Sequence, residues 1–243
     1  NRLLLSGVFL GVLGVGAGGQ LSLAPFGLEA SRPLHRMSEF LDIAGAVATG
    51  EPAAGYSPPD VAVTEAAAGG PLPVFVGARG PRLNRLASQR ADGAFVSGMP
   101  PFRYPAVVGW ARSVRSIDIA LYPSVAFTEK AIERHRPEMV WGLLDTPPEV
   151  REQLGLDLAA VQAAAQAIRD GDPEPARKLV DDTVLERVML VGEPSVVGSR
   201  LADLVREHRP TSIGLALLQE DLREGVDHAA EAFAAMTAEL GGG

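Results

Sequence analysis

Two glycines set around an arginine, in the run Gly77-Ala78-Arg79-Gly80-Pro81, are the residues of this chain best suited to hold an anion. Glycine lets the backbone come close to a ligand, and the first turn of a helix presents N–H groups that have no partner within the helix. Pro81 suits the first helical position, where a missing N–H costs nothing. Together these features favour a phosphate held by main chain, with Arg79 or Arg82 adding a charge-assisted bond. The same five residues also read as a tight strand-to-helix turn that binds nothing.

Other polar residues point to less chemistry. His35, His135, His208 and His228 are scattered and show no metal-ligand spacing, so no metal site is expected. His35 reads as a structural or solvated residue at a helix start. Asp181 and Asp182, beside Arg177 and Lys178, read as a solvated helix end. Ser195, after Pro194, is a cap-type residue with no Ser-His-Asp context. Trp110, Trp141 and Tyr122 suit either a pocket wall or core packing. The chain has no cysteine, which removes disulfides and thiolate chemistry.

The elements around the glycine turn follow from apolar spacing. Val74 to Val76, after Pro73, read as a buried strand, and Ala91-Asp92-Gly93 leads into a second strand through Val96. Strands are expected near 7–15, 74–77, 93–97, 116–122 and 212–218. A helix after Ser31-Arg32-Pro33 places Leu34, Met37, Phe40, Leu41 and Ala44 on one face. Residues 124–182 read as a mostly helical insertion, with Asp172-Pro-Glu-Pro175 as punctuation and a strand or buried helix over 185–191. A further helix is expected over 192–205 and a last one over 222–240. Residues 49–70 read as a long irregular connection. Strands alternating with helices, with no repeat, indicate a parallel sheet covered by helices, an α/β fold.

The first residues admit two readings. Arg2 to Val15, followed by Ala17-Gly18-Gly19, has the outline of a secretory signal, which would make this an exported binding protein. The preferred reading is a strand, because Gly7, Gly11 and Gly14 weaken a helix. The apolar run is shorter than about 18 residues, so no membrane span is expected. Gly14-Val-Gly-Ala-Gly-Gly19 fits a dinucleotide fingerprint, but Gln20 to Gly27 offers no helical face and contains Pro25, so that context fails.

Composition narrows the class. With 243 residues, 47% hydrophobic but only 5% aromatic, the core must be built from Ala, Val and Leu. A net charge of −8 argues against nucleic acid as a partner. Of the 22 basic residues only Lys130 and Lys178 are lysines, which we read as the compositional mark of a GC-rich bacterial genome.

The order of motifs resembles the bacterial luciferase-like monooxygenase superfamily, including its deazaflavin-dependent reductases. Gly14-Val-Gly-Ala-Gly18 is similar to its L-G-x-G-x-G strand, and Arg32-Pro-Leu-His-Arg-Met-Ser-Glu39 with Thr49-Gly-Glu51 to its R-P-x-x-R-x-x-E helix. Pro73 to Pro81 with Ala91-Asp92-Gly93 resembles its P-V-x-V-x-A-x-G-P…A-D-G signature, and Val191 to Val197 its late G-T-P-E-x-V turn.

The resemblance implies a single (β/α)8 barrel domain over 1–243, with about the last five βα units visible and an N-terminal part lacking. It implies an oxidoreductase using coenzyme F420, or alternatively FMN, on a small organic substrate. Gly77, Ala78, Arg79, Gly80, Pro81 and Arg82 would meet the cofactor phosphate, with Gly98 and Met99 in the next loop and Gly16 and Gly18 at the first strand's end. It further implies a cytoplasmic homodimer. Some relatives carry a proton-donating glutamate just after the G-x-G-x-G segment; here Gly19 and Gln20 stand there, so that chemistry is not expected. The alternative reading is a non-catalytic flavin-binding or structural homologue.

Overall fold

A computed structural model describes residues 12–18, 23–27, 31–49, 55, 73–218 and 221–241. The chain forms two compact units: Asn1–Val96 with Val107–Ile119, and Ser97–Ala106 with Ala120–Gly243.

In the first unit, β1 (Leu13–Gly16) pairs in parallel with β2 (Val74–Gly77), and β2 with β3 (Gly93–Ser97). Helix α1 (Pro33–Thr49) follows β1, and α2 (Pro81–Arg90) joins β2 to β3. β1 covers Leu13–Gly16 of the expected 7–15 strand; residues 7–11 of that expectation lie outside those described. The strand expectations 74–77 and 93–97 hold. Met37 and Leu41 of α1 are buried as the spacing requires, while Leu34, Phe40 and Ala44 are half-buried. Val76, Ala87, Ala94 and Val96 are sealed from solvent, as is the Ala111 methyl of α3 (Tyr104–Ala111). Arg90 ties α2 to α1 through Ser38 and Asp42. Ser88, fully buried, holds the turn after α3 by accepting the Val114 and Arg115 N–H groups.

Strand β4 (Asp118–Tyr122) begins in the first unit, and its later residues lie in the second. There Ala120 and Leu121 pair in parallel with Ser212 and Ile213. The expected 212–218 strand is divided into Ser212–Ile213 and Ala216–Leu217, the latter pairing with β5 (Ser124–Ala126). The division has a simple cause. Pro123 carries no N–H and interrupts its strand, yet its carbonyl still accepts from Ala216 at 2.9 Å. Gly214 and Leu218 donate to Leu121 and Val125, so the bonding continues past the break. The other edge of β5 takes β6 (Leu190–Val191).

Helices α4 to α9 span Glu129–His135, Met139–Leu144, Pro148–Gln153, Leu158–Arg169, Glu174–Leu179 and Asp182–Val188. The helical block therefore starts after a strand at 124–126 and runs to 188 rather than 182. Residues 172–175 punctuate the block as expected: the Asp172 N–H bonds back to the Ala167 carbonyl of α7, and Pro173-Glu174-Pro175 open α8, since proline is at home in a first turn. The segment 185–191 is helix to Val188 and strand from Leu190. A core of small apolar side chains, among them Val140, Leu143, Val161 and Ala165, holds the block together. Arg136, buried, is compensated by Glu133, Asp182 and the Val180 carbonyl.

The last two helices, α10 (Pro194–His208) and α11 (Leu222–Gly241), cross at Gly198, where a Cβ would meet the Ala232 carbonyl at 2.6 Å. Among the described residues no helix is long and apolar enough to cross a membrane.

Candidate active site

The site is built at the carboxyl ends of β1 and β2. Gly16 and Gly77 are register partners, and a Cβ on Gly16 would lie 3.6 Å from the Gly77 carbonyl. Two strands thus end side by side in glycine, with nothing but backbone at the edge. The chain then turns through Ala78, Arg79 and Gly80 into α2.

Gly80 is the residue that precedes the helix, with φ −105° and ψ 162°, and no side chain caps the first turn. The N–H groups of Gly80, Arg82 and Leu83 have no partner within the helix, and Pro81 has none to offer. A Cβ on Gly80 would meet no atom within 4 Å, so the turn opens onto unfilled space. Gly77, Ala78, Arg79, Gly80 and Pro81 are half-buried and Arg82 is exposed. A helix start of this kind, with its dipole and N–H groups at one end of a ten-residue helix and Arg79 and Arg82 on either side of Gly80 in the sequence, has the chemistry that suits an anion.

A cavity of about 600 Å³ lies beside it in the same unit. Val15, Gly16 and Ala17 form one wall, and Arg36, Met37 and Phe40 of α1 another. Arg36 is held by a bond to the Ser31 hydroxyl at 3.1 Å. The wall is mostly apolar with one cation, which suits a flat aromatic ring carrying a polar edge. Gly18 is exposed with φ +73°, a conformation that favours glycine. Gly19 and Gln20 lie outside the described residues.

Gly98 and Met99 belong to the second unit. Gly98 has φ +61°, so the turn after β3 requires glycine, and Met99 is buried. Both line a smaller cavity of about 140 Å³ with Ser124 and Thr146.

The remaining polar residues fall into structural places. His35 pairs with Glu39 on the exposed face of α1. Asp181 caps α9 by accepting the Val184 N–H at 2.9 Å, and Asp182 pairs with Arg136. Ser195 is not a cap: it lies inside α10, whose preceding residue is Glu193. Tyr122 covers Gly214, and Trp141 stacks against the Arg169 guanidinium at 5.0 Å.

Sequence reasoning passed over one residue here and left the role of another unread. Asn84, fully buried in α2, donates its side-chain amide to the carbonyls of Ala78 and Gly80. Its only signal was a polar residue at a helical position that faces inward. Asp92 was noticed as part of a motif, but its role is structural: its carboxylate accepts the Val74 N–H.

A parallel α/β protein whose first two strands end side by side in glycine, before an uncapped helix start, is the class that fold and site define. The chain belongs to the luciferase-like monooxygenase family, which it matches over residues 12–210. Among curated proteins it is 26% identical over 213 residues to the 5,10-methylenetetrahydromethanopterin reductase of Archaeoglobus fulgidus, covering 79% of this chain and 63% of that protein. It is 29% identical over 188 residues to the F420-dependent glucose-6-phosphate dehydrogenase of Nakamurella multipartita, covering 67% and 56%. The chain thus spans little more than half the length of these relatives.

The solved structure of the F420-dependent tetrahydromethanopterin reductase from Methanopyrus kandleri superposes with a TM-score of 0.70 at 22% identity, covering 89% of this chain and 71% of that one. An F420-dependent secondary alcohol dehydrogenase, solved with an F420-acetone adduct, gives 0.60 at 16% identity, with 93% and 69% covered. The fold is therefore the α/β barrel type of these enzymes.

Proposed function

We propose that the protein is an oxidoreductase that uses coenzyme F420, with FMN as the alternative cofactor, to act on a small organic substrate. The observation that carries this reading is the uncapped glycine turn at Gly77–Pro81, set beside the glycine end of β1 and a cavity of about 600 Å³. The residues present fit such a cofactor: a Cβ at Gly80 meets no atom within 4 Å, which leaves room for a phosphate at the uncapped helix start. Three of the four proteins named above, the Methanopyrus kandleri reductase and the two dehydrogenases, carry F420 in their descriptions, which favours F420 over FMN.

When bound, the deazaflavin or flavin would supply hydride transfer, or oxygen activation in the case of FMN. The protein's part is placement. Gly77, Ala78, Gly80 and the first turn of α2 would hold the phosphate, and Arg79 and Arg82 would offset its charge. Gly16 and Gly77 leave room for the ring system to approach the strand ends, while Met37 and Phe40 keep water from one side of the cavity. Gly98 and Met99, on the loop after β3, are assigned to the cofactor on the family resemblance. The same reading expects a cytoplasmic homodimer without a nucleic-acid partner, the last supported by the net charge of −8.

The test is a side-by-side titration of purified protein with F420 and with FMN. Micromolar or tighter binding of one, weakened at least about tenfold by Gly80→Asp, supports the reading. The added carboxylate meets no atom at its Cβ, so the variant should fold and fail only in binding. Binding of neither cofactor overturns it.

A further inference from the structure

Asn84 stands out among the buried polar residues of the first unit. Its relative exposure is 0%, and its amide nitrogen donates to the Ala78 carbonyl at 3.1 Å and the Gly80 carbonyl at 2.9 Å. Its Oδ1 is buried with no hydrogen-bond partner among the described residues. Asparagine is a poor residue for a helix interior, and a buried acceptor without a donor costs stability. Such a group in a folded protein calls for an explanation other than packing.

The explanation lies in the peptide planes of the turn. In a trans peptide the carbonyl and the following N–H point in opposite directions. Holding the Ala78 carbonyl against Asn84 therefore turns the Arg79 N–H to the side away from Asn84. Holding the Gly80 carbonyl, which also accepts the Asn84 backbone N–H at 3.3 Å, fixes the angle at which Pro81 enters the helix. One side chain thus sets both peptides that frame the helix start.

We infer that Asn84 is a positioning residue for phosphate recognition: its amide holds the Ala78 and Gly80 carbonyls, so that the backbone of the turn is set before the anion arrives. This rests on reading the Gly77–Pro81 turn as the phosphate cradle. A preset cradle binds more tightly because the ligand does not have to order it. The stability lost at Oδ1 is offset by that preorganisation, a balance common at functional sites.

The experiment compares wild type with Asn84→Leu, which has similar volume and neither bond. Each is titrated with F420 and with its phosphate-free deazaflavin chromophore (FMN and riboflavin if FMN is the cofactor). The thermal midpoint and the NMR amide exchange of Arg79, Gly80 and Arg82 are recorded without ligand. The expected result is a loss of about tenfold in affinity for the phosphate-bearing cofactor, unchanged affinity for the phosphate-free one, and faster exchange at the three amides. Equal losses for both ligands, or no loss for either, overturn the inference. If Asn84→Leu does not fold, Asn84→Ala serves the same comparison. Should wild type bind neither cofactor, the proposed function fails; exchange at the three amides unchanged in the variant would separately show that Asn84 does not order the turn.

Discussion

Asp92 and Val74 are bonded in both directions: the Asp92 carboxylate accepts the Val74 N–H at 2.8 Å, and the Asp92 N–H donates to the Val74 carbonyl at 2.9 Å. The Asp92 carbonyl in turn accepts the Asp118 N–H at 3.0 Å. One residue therefore aligns the starts of three successive strands, at the end opposite the glycine turn. In parallel barrels this end serves stability, while the carboxyl ends serve chemistry.

Removing that clasp should lower stability without touching cofactor affinity directly. Asp92→Ala leaves the Val74 N–H without its acceptor, a loss of about 1–3 kcal/mol. Asp92→Asn keeps an acceptor oxygen and should lose less. Denaturant melts of the two variants, with cofactor titration alongside, check the ranking; equal losses would show that the acceptor is not what matters.

Gly93 is the register partner of Phe75, and a Cβ there would come within 2.4 Å of the Phe75 ring. Gly93→Ala should cost about 1–3 kcal/mol through overpacking. The loss should shrink when Phe75→Leu is added, because the smaller side chain frees the space. A double-mutant cycle reads this coupling, and additive effects would contradict it.

Tyr104 is fully buried and its hydroxyl has no partner among the described residues. Burial pushes its phenol well above the usual tyrosine range. The folded protein therefore keeps the proton after the unfolded chain has begun to lose it near pH 10, so this stability is present below about pH 10 and is lost as pH rises further. Tyr104→Phe should flatten that alkaline loss and leave stability at neutral pH equal or slightly higher. Denaturation midpoints between pH 8 and 11 test it.

Sequence reading went furthest where one rule acted alone. The strands at 74–77 and 93–97, and the helix between them, follow from an apolar run, a glycine turn and Pro81 at a helix start. The split of 212–218 was not readable because Pro123, on the facing segment, causes it. The punctuation at 172–175 was legible, because its prolines suit a helix's first turn but not its interior, whereas nothing local marked the end of the helical block at Val188. Of the site, the glycines were legible as local chemistry. Asn84 was not, since its importance lies in two carbonyls that reach it only once the turn has formed. Tyr122 over Gly214 is likewise a partnership between distant segments that no local pattern announces.

The ladder past Pro123 also bears on how the protein is made. Residues 120–126 pair with Leu190–Val191 and with 212–218, both far downstream. On the ribosome, where chains emerge amino end first, this strand waits with these pairings unmade until nearly the whole second unit has been translated. The helices of Glu129–Val188 are emerging meanwhile, and their contacts are local enough to form early. The second unit should therefore mature from its helical block inward, with strand pairing as the late step.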